Sequence, residues 1–193
     1  MNKILTSILL ILICLIPQSS SAEVKPIVEG NIEAKIKIIV YESLTCSHCA
    51  DFHKNIYPNL KKDFIDQGLV SIEFKNFPLD MAALSASKVA HCTNDGNSEI
   101  LHFLFKNQSN WIKGKSIEEL NNNLKKMLEK SNFKLNFNDC ISNEEIENYI
   151  LEDRIKGAKK YKIEATPTII INGEKFENSS NYKKLKKYLE KLI

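Results

Sequence analysis

The stretch Ile36-Lys37-Ile38-Ile39-Val40-Tyr41-Glu42-Ser43-Leu44-Thr45-Cys46-Ser47-His48-Cys49 decides the fold, because a strand pattern runs into a Cys-x-x-Cys and a helix pattern leaves it. Ile36 and Ile38 alternate with polar or paired neighbours before Ile39 and Val40 close the run, which predicts a strand over 35–41 entering a covered sheet. Beyond the cysteines, Phe52, Ile56, Leu60 and Phe64 recur every four residues, as on an amphipathic helix facing a core, and Pro58 is expected to kink it. Gly68 ends that helix, and Val70, Ile72 and Phe74 alternate in a second strand. The result is a β-α-β unit with parallel strands, and Cys46 stands at the C-terminal end of the first of them.

Further out, residues 79–142 carry helical spacing throughout, with helices predicted over 82–91, 99–108 and 116–130. Ser116 with Glu119, and Ser142 with Glu145, fit the Ser-x-x-Glu capping box, and the second starts a helix reaching about residue 161. Residues 168–171 form an apolar strand, Asn172-Gly173 supplies a two-residue hairpin turn, residues 174–178 return, and a lysine-rich helix ends the chain. The order β-α-β, helical block, α-β-β-α is that of an α/β thioredoxin fold whose parts, 23–78 and 143–193, flank an inserted all-helical domain over 79–142. Phe103, Phe105, Trp111, Leu120, Leu124 and Met127 read as the core of that block, with an apolar groove for unfolded chains as the alternative.

At the N-terminus, Lys3, an apolar run over 4–16 and Ser20-Ser21-Ala22 read as an export signal over 1–22, with cleavage expected after Ala22. The run is about 13 residues, short of the roughly 20 that cross a bilayer, and Cys14 would leave with it. Without Lys3 the chain carries 26 basic and 24 acidic residues, too even a balance to suggest nucleic acid. Lys183, Lys184, Lys186, Lys187 and Lys191 interleave with Tyr182, Leu185, Leu189 and Leu192, the pattern of a solvated helix face. Export would place the four remaining cysteines in an oxidising compartment, where an even number implies pairing. Of three connectivities, the close pair Cys46 and Cys49 and the distant pair Cys92 and Cys140, 48 positions apart, favour one.

Disulfide exchange needs a thiolate that attacks and a second thiol that resolves the mixed disulfide, and a Cys-x-x-Cys opening a helix provides both. Cys46 would be the attacker, at a helix N-terminus whose unpaired N–H groups favour the anion. His48 could add a hydrogen bond or charge to that thiolate, and Cys49, inside the first turn, would resolve. A zinc site would need further ligands from His53, His91, Cys92, His102 and Cys140, none of them in a second metal-binding spacing. A purely structural 46–49 bridge would close too short a loop to stabilise much.

Ser43-Leu44-Thr45-Cys46-Ser47-His48-Cys49, Asn76-Phe77-Pro78-Leu79-Asp80 and Ala165-Thr166-Pro167-Thr168 resemble, in order and spacing, the signatures of the DsbA-like thiol–disulfide oxidoreductases. The resemblance covers nearly all of 30–193. It implies a cis Thr166–Pro167 bond facing the active-site cysteines, with the Thr166 backbone free to pair with a substrate strand. It also raises the expectation of a structural Cys92–Cys140 bridge, for which loop entropy suggests roughly 4 kcal/mol. Relatives often carry a buried acid where this chain has Val40; Glu42, two residues later on the same strand face, could take the proton of Cys49 or be an ordinary surface glutamate. The expectation is a monomeric periplasmic dithiol oxidase that acts on reduced exported proteins and is reoxidised by a DsbB-type membrane quinone reductase, with no dissociable cofactor or metal. A disulfide isomerase or reductase, or a redox-inert chaperone-like binding protein, are the alternatives.

Overall fold

The computed structural model describes residues 23–178 and 180–193; the expected signal over 1–22 lies outside them. Five strands, β1 (Ile27–Gly30), β2 (Ile36–Glu42), β3 (Val70–Asn76), β4 (Thr168–Ile171) and β5 (Glu174–Phe176), form one sheet in the order β1-β3-β2-β4-β5. β2 runs parallel to β3, with Val40 opposite Phe74 and Glu42 opposite Asn76, while β4 pairs antiparallel on its other side. On one face of β2 Ile36, Ile38 and Val40 are buried; on the other Tyr41 is buried, Ile39 half-buried and Lys37 exposed, so the cover expected on both faces is complete on one and partial on the other. The turn at Asn172 and Gly173, φ 49° and 89°, takes the chain from β4 into β5.

β1 corrects the expectation that the first strand begins near residue 35. It has only four residues, between Pro26 and the positive-φ Gly30, too few to set up an alternation, and its antiparallel partner β3 lies more than 40 positions later. The segment leading to it is tied to the helical block. Lys25 N–H donates to Asn94 Oδ1 at 2.7 Å, Asn94 Nδ2 donates to Glu23 O at 3.2 Å, and Val24 packs with Leu84, Ile146 and Ile150.

The helix after Cys46, α1, spans 47–65 without a break, and Pro58 does not interrupt it. Two of its four segments, Phe52–Ile56 and Lys61–Ile65, are π-helical. Each four-residue step overshoots an α-helical turn by about 40°. The wide turns absorb that overshoot and keep Phe52, Ile56, Leu60 and Phe64 all buried. Pro58 has no N–H to give to residue 54, and the wide turn just before it, closed by Tyr57 N–H on Phe52 O, accommodates its ring.

The remaining helices are α2 (Met81–Ala90), α3 (Glu99–Lys106), α4 (Gln108–Trp111), α5 (Ile117–Glu129), α6 (Phe137–Ser142), α7 (Glu144–Tyr161) and α8 (Tyr182–Leu189). The helix predicted over 99–108 breaks at Asn107, and Gln108 opens the short α4. Ser116 Oγ accepts from Glu119 N–H at 3.2 Å and caps α5. Ser142 caps nothing; it is the last residue of α6, and Asn143 Oδ1 takes the Ile146 N–H at 3.0 Å to start α7. Asn and Ser are near-equal caps, so residue preference does not separate Ser142 from its neighbour Asn143. Phe105, Trp111 and Leu124 are buried and continuous with the sheet's core, whereas Phe103, Leu120 and Met127 are half-buried. On α8, Leu185 and Leu189 face the core. Among the described residues no helix is long and apolar enough to cross a membrane.

Candidate active site: a dithiol at the end of the central strand

β2 delivers the chain to Ser43, and Cys46, in extended conformation, is the N-cap residue of α1. Three contacts fix this connection. Gln108 Nε2 donates to the carbonyls of Leu44 and Cys46, each at 2.9 Å. Thr45 Oγ1 donates to Asp80 Oδ2 at 2.8 Å, and the other oxygen of Asp80 caps α2 through Ala83 N–H at 2.7 Å. Ser43 Oγ accepts from Leu79 N–H at 3.3 Å. The Asn76–Asp80 stretch therefore holds the cysteine loop from β3's end, and α4 holds it from the helical block.

Cys46 is half-buried and Cys49 fully buried, both as free thiols. The Cys46 thiol is brought from 9.0 down to about 5, chiefly by the hydrogen bond from the Cys49 thiol, with further help from Thr166 and the backbone N–H groups of Cys49 and His48, against the cost of burial. Cys49 is driven strongly the other way by burial, then by its bond to Cys46 and by the charge of Glu42. Two thiols three residues apart are thus pushed in opposite directions, an attacker that is a thiolate at neutral pH and a partner that keeps its proton. His48 contributes through its backbone. Its imidazole is exposed and makes no hydrogen bond to Cys46, so of the two side-chain roles expected for it the hydrogen bond is not formed here.

The Thr166–Pro167 peptide is cis, and Cys46 Sγ donates to Thr166 O at 3.3 Å. Thr166 is buried, and its hydroxyl favours the Cys46 thiolate. His48, Phe52, Asn55, Ala165, Thr166 and Pro167 line a cleft of about 520 Å³ beside the thiols.

Glu42 is not a surface residue. It is buried, Oε2 meets His53 Nε2 at 2.7 Å, and Oε1 has no hydrogen-bond partner among the described residues. Val40, at the position of the relatives' acid, sits in the apolar core. Cys92 and Cys140 are joined by a disulfide across 48 positions, with Cα atoms 5.2 Å apart, between the end of α2 and α6. Of the histidines weighed as metal ligands, His91 is buried, pushed down to about 4 by burial, and bonded to Asn76 Nδ2 at 2.8 Å. His53 and His102 meet each other at 3.0 Å. Gln108 is the residue of this site that sequence reasoning did not single out; Asp80 entered it only within a signature, and His53 and His102 only as metal-ligand candidates. His53 also left a local signal, four residues after Cys49 on the buried face of α1.

A family model described as Thioredoxin matches residues 22–191. A protein of Rickettsia bellii, provisionally named a protein-disulfide oxidoreductase, is 30% identical over 155 residues, covering 78% of this chain and 58% of its own length. Disulfide bond formation protein D of Bacillus subtilis is 26% identical over 171 residues, covering 84% of this chain and 74% of that protein. The crystal structure of Wolbachia pipientis alpha-DsbA1 superposes with a TM-score of 0.77 at 30% identity, over 86% of this chain and 90% of that one. The chain spans somewhat more than half the length of the rickettsial relatives it matches. With a thioredoxin sheet, a helical block between its halves, and a Cys-x-x-Cys facing a cis-proline, the chain belongs to the thioredoxin family, in its DsbA-like group.

Proposed function

We propose that this protein is an exported protein-disulfide oxidase of the periplasm, its signal cleaved after about Ala22, that donates the Cys46–Cys49 disulfide to reduced exported proteins. The observation that carries the reading is the opposed pair of thiols: a Cys46 thiolate, held down to about 5, is a good leaving group and leaves the reduced enzyme as the stabilised form. A substrate thiolate attacks Cys46 Sγ, the Cys46–Cys49 bond breaks, and Cys49 takes the electron pair and a proton. A second substrate thiolate then attacks the substrate sulfur of the mixed disulfide and expels Cys46 as a thiolate. The substrate is oxidised by two electrons and the enzyme reduced by two. Thr166, beside Cys46 and preceding Pro167, offers backbone groups to an extended substrate segment. The Cys92–Cys140 bridge ties α2 to α6 and serves as a structural staple. Reoxidation falls to a DsbB-type membrane quinone reductase, and the oxidase works as a monomer. Its alternative, an isomerase or reductase, differs in potential. Equilibration with graded reduced and oxidised glutathione, read by alkylation of Cys46 and Cys49, separates them. A potential near about −180 to −120 mV supports the oxidase, and one near or below about −270 mV rejects it.

A further inference from the structure

A row of four titratable side chains begins at Glu42, whose charge acts on the Cys49 thiol, and runs outward through the fold. Glu42 Oε2 meets His53 Nε2 at 2.7 Å, His53 Nδ1 meets His102 Nδ1 at 3.0 Å, and His102 Nε2 meets Glu29 Oε1 at 2.6 Å. These residues come from β2, α1, α3 and β1, so the row exists only in the folded chain. Stacking sets the ring planes: His53 lies on Phe105 at 4.1 Å between centroids, and His102 on Tyr57 at 4.4 Å. Side-chain exposure rises from 1% at Glu42 through 5% at His53 to 25% at His102, the most open member, and is 13% at Glu29. His53 and His102 also line a pocket of about 590 Å³ that opens between α1 and the helices that follow, with Asp51, Lys54 and Lys106 around it.

The hydrogens can be counted. Each of the three contacts needs one hydrogen, an ionised carboxylate supplies none and a neutral imidazole supplies one. Two neutral histidines therefore leave one contact unfilled, and the geometry requires one further proton in the row. Glu29, held down to about 2 by its bonds to His102, Ser98 and Tyr57 in spite of burial, keeps its end ionised and fixes a hydrogen on His102 Nε2. Tyr57 Oη donates to both Glu29 oxygens, and Lys61 lies 3.4 Å away. The extra hydrogen then has three arrangements. In the first His102 is the imidazolium and Glu42 a carboxylate; in the second the hydrogen of the His53–His102 contact has moved to His53, which becomes the imidazolium; in the third the hydrogen of the His53–Glu42 contact has moved as well, leaving both rings neutral and Glu42 protonated.

We propose that Glu42, His53 and His102, anchored by Glu29, form a proton relay that carries the proton of the Cys49 thiol between the buried dithiol and the pocket lined by His53 and His102. The proposal rests on the oxidoreductase reading and deepens it. When a substrate thiolate breaks the Cys46–Cys49 bond, Cys49 Sγ receives the electron pair and takes the proton from Glu42. His53 and His102 reload Glu42, and solvent reloads His102. During reoxidation the same hydrogens move outward, so Cys49 can attack the mixed disulfide at Cys46. Glu42 suits this turning point because its charge acts on the Cys49 thiol, its Oε2 is bonded to His53, which follows Cys49 by four residues on the buried face of α1, and its Oε1 is buried with no hydrogen-bond partner among the described residues.

The test follows the reduced protein as it is oxidised by glutathione disulfide in quenched flow, because the two steps separate. Formation of the Cys46–glutathione mixed disulfide does not use the relay; closure by Cys49 does. In His102→Gln, closure should slow about 100-fold near pH 6–7, the scale of general acid–base catalysis, with the first step unchanged. The closure rate should then rise tenfold per pH unit, where the unaltered protein shows a flatter profile. Free imidazole, entering through the pocket, should restore closure in His102→Ala. Closure within about twofold of the unaltered protein at every pH in both variants would overturn the relay, and so would a slowed closure that keeps its pH profile and ignores imidazole. A Cys46 that fails to form the mixed disulfide in the unaltered protein would instead reject the oxidoreductase reading.

Discussion

Replacing Cys49 with alanine should raise the pKa of Cys46, because the Cys49 thiol is the largest single influence holding it near 5. A hydrogen bond to an ionised group contributes about 1.5–3 kcal/mol, equivalent to about 1–2 pH units. Cys46 is half-exposed, so water recovers part of that interaction, and the net rise is about one unit, to about 6. Cys92 and Cys140 are bonded, so Cys46 is the one titrating thiol in the variant among the described residues. Thiolate ultraviolet absorbance against pH gives the value directly, and the pH dependence of alkylation gives it independently. Cys49→Ser is the counterpart. Its hydroxyl still donates, so Cys46 should stay near 5. Titration of the alanine variant at or below about 5, or an equal rise in both variants, would refute the assignment and leave the backbone N–H groups at the helix N-terminus as the main stabiliser.

Three more outcomes follow from the same geometry. The folded pKa of Cys46, about 5, lies below its ordinary 9.0, so the thiolate stabilises the reduced fold fully above about pH 9 and loses that contribution as pH falls toward 5, while Cys49 below pH 9 is a thiol in both states. The melting-temperature advantage of reduced over oxidised protein should therefore shrink on acidification across that window, and a pH-independent difference would contradict it. Gln108→Ala removes both donors that hold the Leu44 and Cys46 carbonyls and should cost about 1–3 kcal/mol in urea unfolding, with slower alkylation of Cys46. Asn143→Ala should cost about 1 kcal/mol and Ser142→Ala only a few tenths, an order that chemical denaturation of the two variants would check.

What was legible in the sequence was what is local in it. Cys46 and Cys49 share one helical turn, the strand before them has its own periodicity, and Thr166-Pro167 directly precedes a strand, so fold and dithiol could be read together. Alternation placed Glu42 on the face of Val40, but it says nothing about what covers that face. Burial came from α1, and the partner His53 from the same helix. The pairing of His53 with His102 spans 49 positions and depends on α3 packing over α1, which no pattern along one segment encodes. The cap of α7 was misplaced by one residue because Ser142 and Asn143 are both good caps. The kink expected at Pro58 did not form because π-helical turns, which a four-residue repeat favours over an α-helix, also make room for the ring.

β1 has a further consequence, for the order in which the molecule is assembled. Its strand partner is β3, Lys25 reaches Asn94 across 69 positions, and Glu29 reaches His102 across 73. These contacts close long loops from a four-residue strand, and long closures lower the folding rate because their entropy is lost before any contact repays it. A chain emerging N-terminus first therefore carries residues 27–30 unpaired until β3 and α3 are in place, and the strand docks after the β2–α1–β3 unit that holds the dithiol. Cys46 and Cys49 can then meet, and form a disulfide, in an intermediate whose Glu29 is still in water. Its backbone amides should be the first of the sheet to exchange with solvent, since the element that docks late is also the one released with the least loss of packing.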